Sequence, residues 1–279
     1  MPKCLIVFDI DGVLCWQTYD NSCDPHRFAA LHPECPLILF PNKDHVYPHC
    51  FAPHLDVLIE YLISNGSRIA FFSAGHYSRN NVVINELLIE LLGEERYTEL
   101  KSAGQFDIFS ANDMREASYE FGETGNYVKD LNIILKDQET SQNSILIEDN
   151  INYAAYDQQP CIMAIPLGDW SFLLEDESEH SFSKNAVYYL LGIFSHYFNL
   201  GEDLPPLRVW VERFFLEQTG SEGHFLKKCY MPQSTDQLVL EMINLGLQEV
   251  QKKHPDAIFY NAPTGRLAYS HSYRIMPSI

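Results

Sequence analysis

Two aspartates separated by a single residue close an apolar run, Cys4-Leu5-Ile6-Val7-Phe8-Asp9-Ile10-Asp11-Gly12. A buried strand that delivers two carboxylates to one turn suits phosphoryl transfer. One carboxylate attacks phosphorus, the other handles protons, and both face a divalent cation. The same Asp-x-Asp-Gly pattern also occurs in ordinary turns and calcium loops, so it acquires meaning only from the other motifs of the chain. A second apolar run, Arg68-Ile69-Ala70-Phe71-Phe72, ends in Ser73-Ala74-Gly75, a hydroxyl and small residues that let a phosphate approach the backbone. Gly125-Asn126-Tyr127-Val128-Lys129-Asp130-Leu131 supplies a lysine at the head of an expected helix. A third run, Ser144-Ile145-Leu146-Ile147, ends in Glu148-Asp149-Asn150, acidic and amide oxygens suited to a hard cation.

Carboxylate pair, hydroxyl, lysine and metal ligands, in that order, resemble the four motifs of the haloacid dehalogenase (HAD) phosphatase superfamily. The run Gly-Asn-Tyr-Val-Lys-Asp-Leu followed by an apolar strand and Asp-Asn is similar to its FCP/SCP branch, the small phosphatases of the RNA polymerase II C-terminal domain. The resemblance covers approximately residues 3 to 170. It implies that Asp9 is the nucleophile and that Asp11 protonates the leaving oxygen and then activates water. Ser73 and Lys129 would hold the phosphoryl oxygens. Mg2+ would lie between the Asp9 carboxylate, the Asp11 backbone carbonyl and the Asn150 side chain, with Asp149 as a close or water-mediated ligand. Ala74 and His76, beside the phosphate loop, are candidate substrate contacts; Arg79 and Arg115 are possible contacts of the same kind, with an ordinary structural role the favoured reading for both. Gly12-Val13 stand where the branch has Glu-Thr, and the stretch from Ser73 to Lys129 is longer than in the small phosphatases. The resemblance therefore implies the chemistry more firmly than the substrate.

An open, cap-poor site implies a phosphorylated protein or peptide as partner, through phosphoserine, phosphothreonine or phosphotyrosine. Two rival readings are a small-metabolite phosphatase with a helical lid and an inactive phosphopeptide-binding scaffold. Such a domain with an unfamiliar helical tail also resembles effectors that intracellular bacteria inject into host cells.

The net charge of −19 is distributed unevenly, with 11 basic against 29 acidic residues up to residue 200 and 8 against 9 beyond it. An acidic catalytic part argues against nucleic acid as a partner. Seven scattered cysteines, an amino terminus without a signal-type apolar region, and no stretch of membrane-spanning length point to a cytoplasmic chain in a reducing compartment. Cys23, His26, His32 and Cys35 have ligand chemistry, but their spacing is not that of a zinc finger, and they read as loop residues.

These motifs must be positioned by strands that alternate with helices, which predicts a three-layer, Rossmann-like α/β fold with the site at the carboxyl ends of a parallel sheet. Phe106–Phe109 and Cys161–Ile165 are the fourth and fifth expected strands. Leu14 to about Pro48 leaves room for a small flap, not a large cap. Leu55, Leu58, Ile59 and Leu62 recur at helical spacing after Pro53, and Asn81 to Leu92 is a second helix, stopped at Gly93. The expected division is a phosphatase domain over 1–200 and a helical extension over 201–279. In the extension Leu207 to Leu216 is helical, and Ser234 with Gln237 opens a helix to about Lys252. The extension is expected to pack on the catalytic part or to present a partner or membrane surface.

Overall fold

The computed structural model describes residues 4–17, 30, 33–42, 45–118, 123, 126–158, 162–163, 184–201, 204–219 and 237–260. Its centre is β1 (Leu5–Phe8), in which all four residues are buried. β1 pairs in parallel with β5 (Arg68–Phe72) on one side and β9 (Ser144–Glu148) on the other. β6 (Phe106–Phe109) and β10 (Ile162–Met163) complete a five-stranded sheet in the order β10-β9-β1-β5-β6. The remainder of the expected fifth strand lies outside the described residues. Strands covered on both faces read as unbroken apolar runs, which is why these segments stand out in the sequence. Alternate residues divide between two cores: Ile6, Phe8, Ile69 and Phe71 face one, Leu5, Val7, Ala70 and Phe72 the other. The register Phe8↔Phe71 and Phe8↔Ile147 brings the residues after β1, β5 and β9 to one end of the sheet. The chain turns to opposite sides of β1 there, which opens the crevice typical of doubly wound sheets.

Between β1 and the first helix, β2 (Cys15–Gln17), β3 (Leu37–Asn42) and β4 (His45–Phe51) form an antiparallel sheet in the order β2-β4-β3, a small flap. Of the possible zinc ligands in this region, Cys23, His26 and His32 lie outside the described residues. Helix α1 (Leu55–Ser64) buries Leu55, Leu58, Ile59 and Leu62, the periodic set of the sequence. Helix α2 (Tyr77–Leu92) begins four residues before the apolar pattern does. Its first turn is held by a polar residue: Asn80 is buried and donates to the Phe109 carbonyl at 3.1 Å. Gly93, at φ 79°, ends α2 and starts α3 (Glu94–Ser102). Lys129 does not head an α-helix. It follows β8 (Tyr127–Val128), which pairs with β7 (Arg115–Glu116), and precedes a 3₁₀ turn at Leu131–Ile133 capped by Asp130. Such turns, with Leu131, Ile134 and Ala154, cover the second face of the sheet.

Three helices complete the described chain: α4 (Ala186–Phe198), α5 (Leu207–Thr219) and α6 (Gln237–Gln251). Ser234 lies outside the described residues. Helix α4 buries every residue except His196, and α4, α5 and α6 share one apolar cluster with α1, α2 and the sheet. Helices α4 and α6 meet backbone to backbone. A Cβ on Gly192 would run into the Met242 carbonyl and one on Gly246 into the Tyr188 carbonyl, so two hydrogen atoms set the crossing distance. Gly246→Leu is therefore expected to destabilise the protein by about 1–3 kcal/mol or more through overpacking. The midpoint of urea unfolding measures this, and an unchanged midpoint would show that the helices do not cross at this glycine.

Candidate active site

Asp9 is the first residue past β1, and its amide still bonds to the Ile147 carbonyl at 2.9 Å, which fixes its carboxylate against the β9 end. Lys129 reaches the same point from β8. Its amide bonds to the Tyr153 carbonyl at 2.7 Å, and its side chain is fully buried. The ammonium lies 2.9 Å from Asp9 Oδ1 and 2.6 Å from Glu148 Oε2, with the Tyr153 ring centroid 5.4 Å away. Glu148 turns its other oxygen back to accept from the Asp149 and Asn150 amides at 3.1 and 3.2 Å, tying the loop after β9 to the site. Asp9, Glu148 and Asp149 each place a carboxylate oxygen within 4.8 Å of the others.

Two carboxylates thus pair with one ammonium, and a third, Asp149, lies beside them. Burial raises the pKa of Asp9 well above its ordinary value, and the Glu148 charge adds to this while Lys129 opposes it. Burial likewise carries Glu148 to about 7, with Lys129 opposing and Asp149 adding, and Asp149 to about 6, with Asp9 adding. Burial alone would lower the Lys129 pKa, but Asp9 and Glu148 more than reverse it and keep the lysine charged. The fully ionised cluster carries two more negative charges than positive ones, and a divalent cation would supply the missing countercharge. The oxygen-only donor set fits Mg2+. Asn150 is adjacent, its side-chain oxygen accepting from the Asn152 amide at 3.1 Å while its amide faces Glu148.

Asp11 belongs to a second group. Arg79 forks onto it, with Nη1 to Oδ1 at 2.6 Å and Nη2 to Oδ2 at 2.5 Å, and the Ser73 hydroxyl donates to Oδ2 at 3.0 Å. Burial pushes the Asp11 pKa up, but the Arg79 guanidinium and Ser73 outweigh it and hold Asp11 below its ordinary value. The two aspartates of the motif thus sit in opposite electrostatic settings. The Ser73 hydroxyl also accepts from the Gly75 amide at 3.0 Å, which curls the loop after β5 around it. Gly12 lies between the groups at φ 80°, and a Cβ there would run into the Asp149 carboxylate. A glycine following the second aspartate is thus required both by conformation and by the approach of the metal-candidate loop.

The sequence reading counts Glu148 only among the cation-suited oxygens after the third apolar run and does not favour Arg79 as a contact; the structure pairs Glu148 with Lys129 and Arg79 with Asp11. Arg79, a possible but disfavoured contact in the sequence, precedes the apolar pattern of Asn81 to Leu92 and falls in the first turn of α2. Arg115 pairs with Glu123 and Asp130, both at 2.9 Å, and not with the site carboxylates. His76 is exposed at the amino end of α2 and makes no side-chain cap there. Ala74 lines a cleft of about 730 Å³ with Asn112, Met114, Asn126, Tyr127, Asn150 and Tyr153, so the cleft borders the site through Ala74, next to Ser73, and through Asn150.

No family model and no curated protein matches the chain. Two solved structures of the RNA polymerase II CTD phosphatase Fcp1 share features with it. The fission yeast protein bound to beryllium fluoride aligns at a TM-score of 0.39 with 11% identity, over 93% of this chain and 68% of that one. The second aligns at 0.38 with the same identity and coverage. Similarity at that score is too weak to carry a function across, and the functional reading rests on this chain's own side chains.

Removing the ammonium leaves buried carboxylates uncompensated, a change that costs roughly 3–5 kcal/mol when one partner of a buried pair is deleted. Lys129→Met is expected to show a loss of that size in urea unfolding with chelator present. A loss below about 1 kcal/mol, the range of exposed pairs, would mean that Asp9 and Glu148 do not depend on the lysine's charge.

Proposed function

We propose that the protein is a Mg2+-dependent phosphatase of the HAD type, acting on phosphorylated protein segments through an aspartyl-phosphate at Asp9. The observation that carries this reading is the division of the motif's two aspartates, Asp9 against Lys129 and Asp11 against Arg79 and Ser73. An Asp9 oxygen attacks phosphorus and the bond to the leaving oxygen breaks, with Asp11 giving that oxygen a proton. Asp11 then takes a proton from the water that cleaves the acyl phosphate. Arg79 holds Asp11 in the ionised state required for the second step. The first step requires Asp11 protonated, which an incoming phosphoryl group would allow by competing for the guanidinium now forked onto it. Ser73 Oγ and Lys129 Nζ hold those oxygens as charge moves onto the leaving group. The Asp9 and Asp149 carboxylates and the Asn150 side chain, with the Asp11 backbone carbonyl, would hold Mg2+, which supplies neutralisation of the phosphoryl charge.

The cleft beside Ala74 supports a protein substrate. Its asparagine amides both donate and accept, as a peptide backbone demands, and among the described residues no lysine or arginine lines it to recognise a highly anionic metabolite. Met114, Tyr127 and Tyr153 add an aromatic and thioether lining that favours a phosphotyrosine ring over the short phosphoserine side chain. A helical lid finds no support in α5. Its start is tied to Asn143 and Ser144 at the amino end of β9, opposite the site.

A phosphopeptide panel with Mg2+ tests the reading. Hydrolysis is expected with phosphotyrosine peptides ahead of phosphoserine peptides, to stop on chelation, and to vanish in Asp9→Asn, which keeps the side-chain shape but not the charge. Asp11→Asn is expected to lose about 10²–10⁴-fold with poor leaving groups and less with good ones. Turnover of sugar phosphates but no phosphopeptide would favour the metabolite reading, and wild-type turnover by folded Asp9→Asn would refute the mechanism.

A further inference from the structure

Far along the chain from the catalytic carboxylates, a second group of ligand side chains is assembled by tertiary packing. His54, Asp56 and His254 each bring a ligand atom within 4.8 Å of the other two. His54 immediately precedes α1, Asp56 lies in its first turn, and His254 lies three residues beyond the end of α6. His254 Nε2 is 3.2 Å from Asp56 Oδ2. The two imidazole rings are 5.0 Å apart between centroids, and the His54 ring stacks on Tyr188 of α4 at 5.7 Å. His54 also has the left-handed backbone (φ 63°, ψ 22°), a conformation uncommon outside glycine and enriched at ligand-holding positions.

We propose that His54, Asp56 and His254 form a binding site for a zinc-type transition-metal dication that fastens the end of α6 to the start of α1. Two imidazole nitrogens and one carboxylate oxygen are a borderline donor set that selects zinc over Mg2+ or Ca2+, which take oxygen. Metal–ligand bonds of about 2.0–2.2 Å require the three ligand atoms to close to a tetrahedral face, with a water or a further group at the fourth position. With all three ligand atoms already within 4.8 Å of one another, side-chain rotation suffices to reach it. All three side chains are partly exposed, so the ion has a path from solvent. Lys253, whose ammonium is 2.6 Å from Asp56 Oδ2, is the competing cation. Its side chain is 54% exposed, and it can leave for water when a dication arrives. Because α6 packs on α4 through Gly192 and Gly246, an ion here would fasten the α4–α6 pair to the start of α1.

Titration of the metal-free full chain with zinc chloride tests the site, with excess Mg2+ present to occupy the catalytic carboxylates. One zinc ion is expected to bind and to raise the melting temperature with increasing concentration, as a ligand selective for the folded state must. His254→Ala is expected to weaken this binding by at least about tenfold, the cost of losing even a supporting group around a metal, and to melt with chelator like the wild type. His54→Gln serves as a second variant if His254→Ala fails to fold. Zinc affinity unchanged in the folded variants, or the absence of any zinc-dependent rise in melting temperature in the wild type, would overturn the proposal.

Discussion

A single ammonium inside a cage of carboxylates is the constraint on which the rest of the structure depends. Lys129 has no exposure to solvent, and its charge is tolerable only because Asp9 and Glu148 are within hydrogen-bonding distance. Those carboxylates in turn are buried at the ends of β1 and β9, where an uncompensated charge would be costly. The parallel pairing of these strands, the β8 strand that delivers the lysine, and the turn that Glu148 organises through the Asp149 and Asn150 amides are therefore parts of one electrostatic arrangement. Its negative excess is of the size that a dication would neutralise, so in the proposed reading the same arrangement would join folding to metal binding.

The second aspartate escapes this arrangement because Arg79 meets it from α2. The result is a graded site: one carboxylate held against a lysine and a metal-candidate cluster, the other against a guanidinium and a hydroxyl, two residues apart in the chain. Gly12 makes the division possible, since any side chain there would displace Asp149. Its presence in place of the bulkier residue of the FCP/SCP pattern has a local steric reason.

Much of this is legible in the sequence because buried parallel strands have to be apolar throughout and must end where the polar chemistry begins. β1, β5 and β9 announce themselves in that way, and Asp9, Ser73 and the Glu148-Asp149-Asn150 run come with them. Lys129 is legible as a residue but not as a strand end, because a two-residue strand and a 3₁₀ turn leave no periodicity. Arg79 is hidden for a related reason: the first turn of α2 is anchored by Asn80 hydrogen bonding, not by apolar residues. Glu148 is overshadowed by the Asp-Asn pair after it, and its place in β9 beside Asp9 depends on a register that only the assembled sheet fixes. The contact of His54 and Asp56 with His254, close to two hundred positions away, has no local signature at all.

The most direct test of the central claim is to trap the intermediate. Acid-quenched enzyme, taken during turnover of a phosphotyrosine peptide with Mg2+, is reduced with borohydride, which converts an aspartyl-phosphate to homoserine, and the modified peptide is located by mass spectrometry. The expected result is homoserine at position 9, absent when substrate is withheld. Modification at Asp11 or Asp149 instead, or turnover with no reducible acyl phosphate in any peptide, would contradict the assignment of Asp9 as the nucleophile held by Lys129.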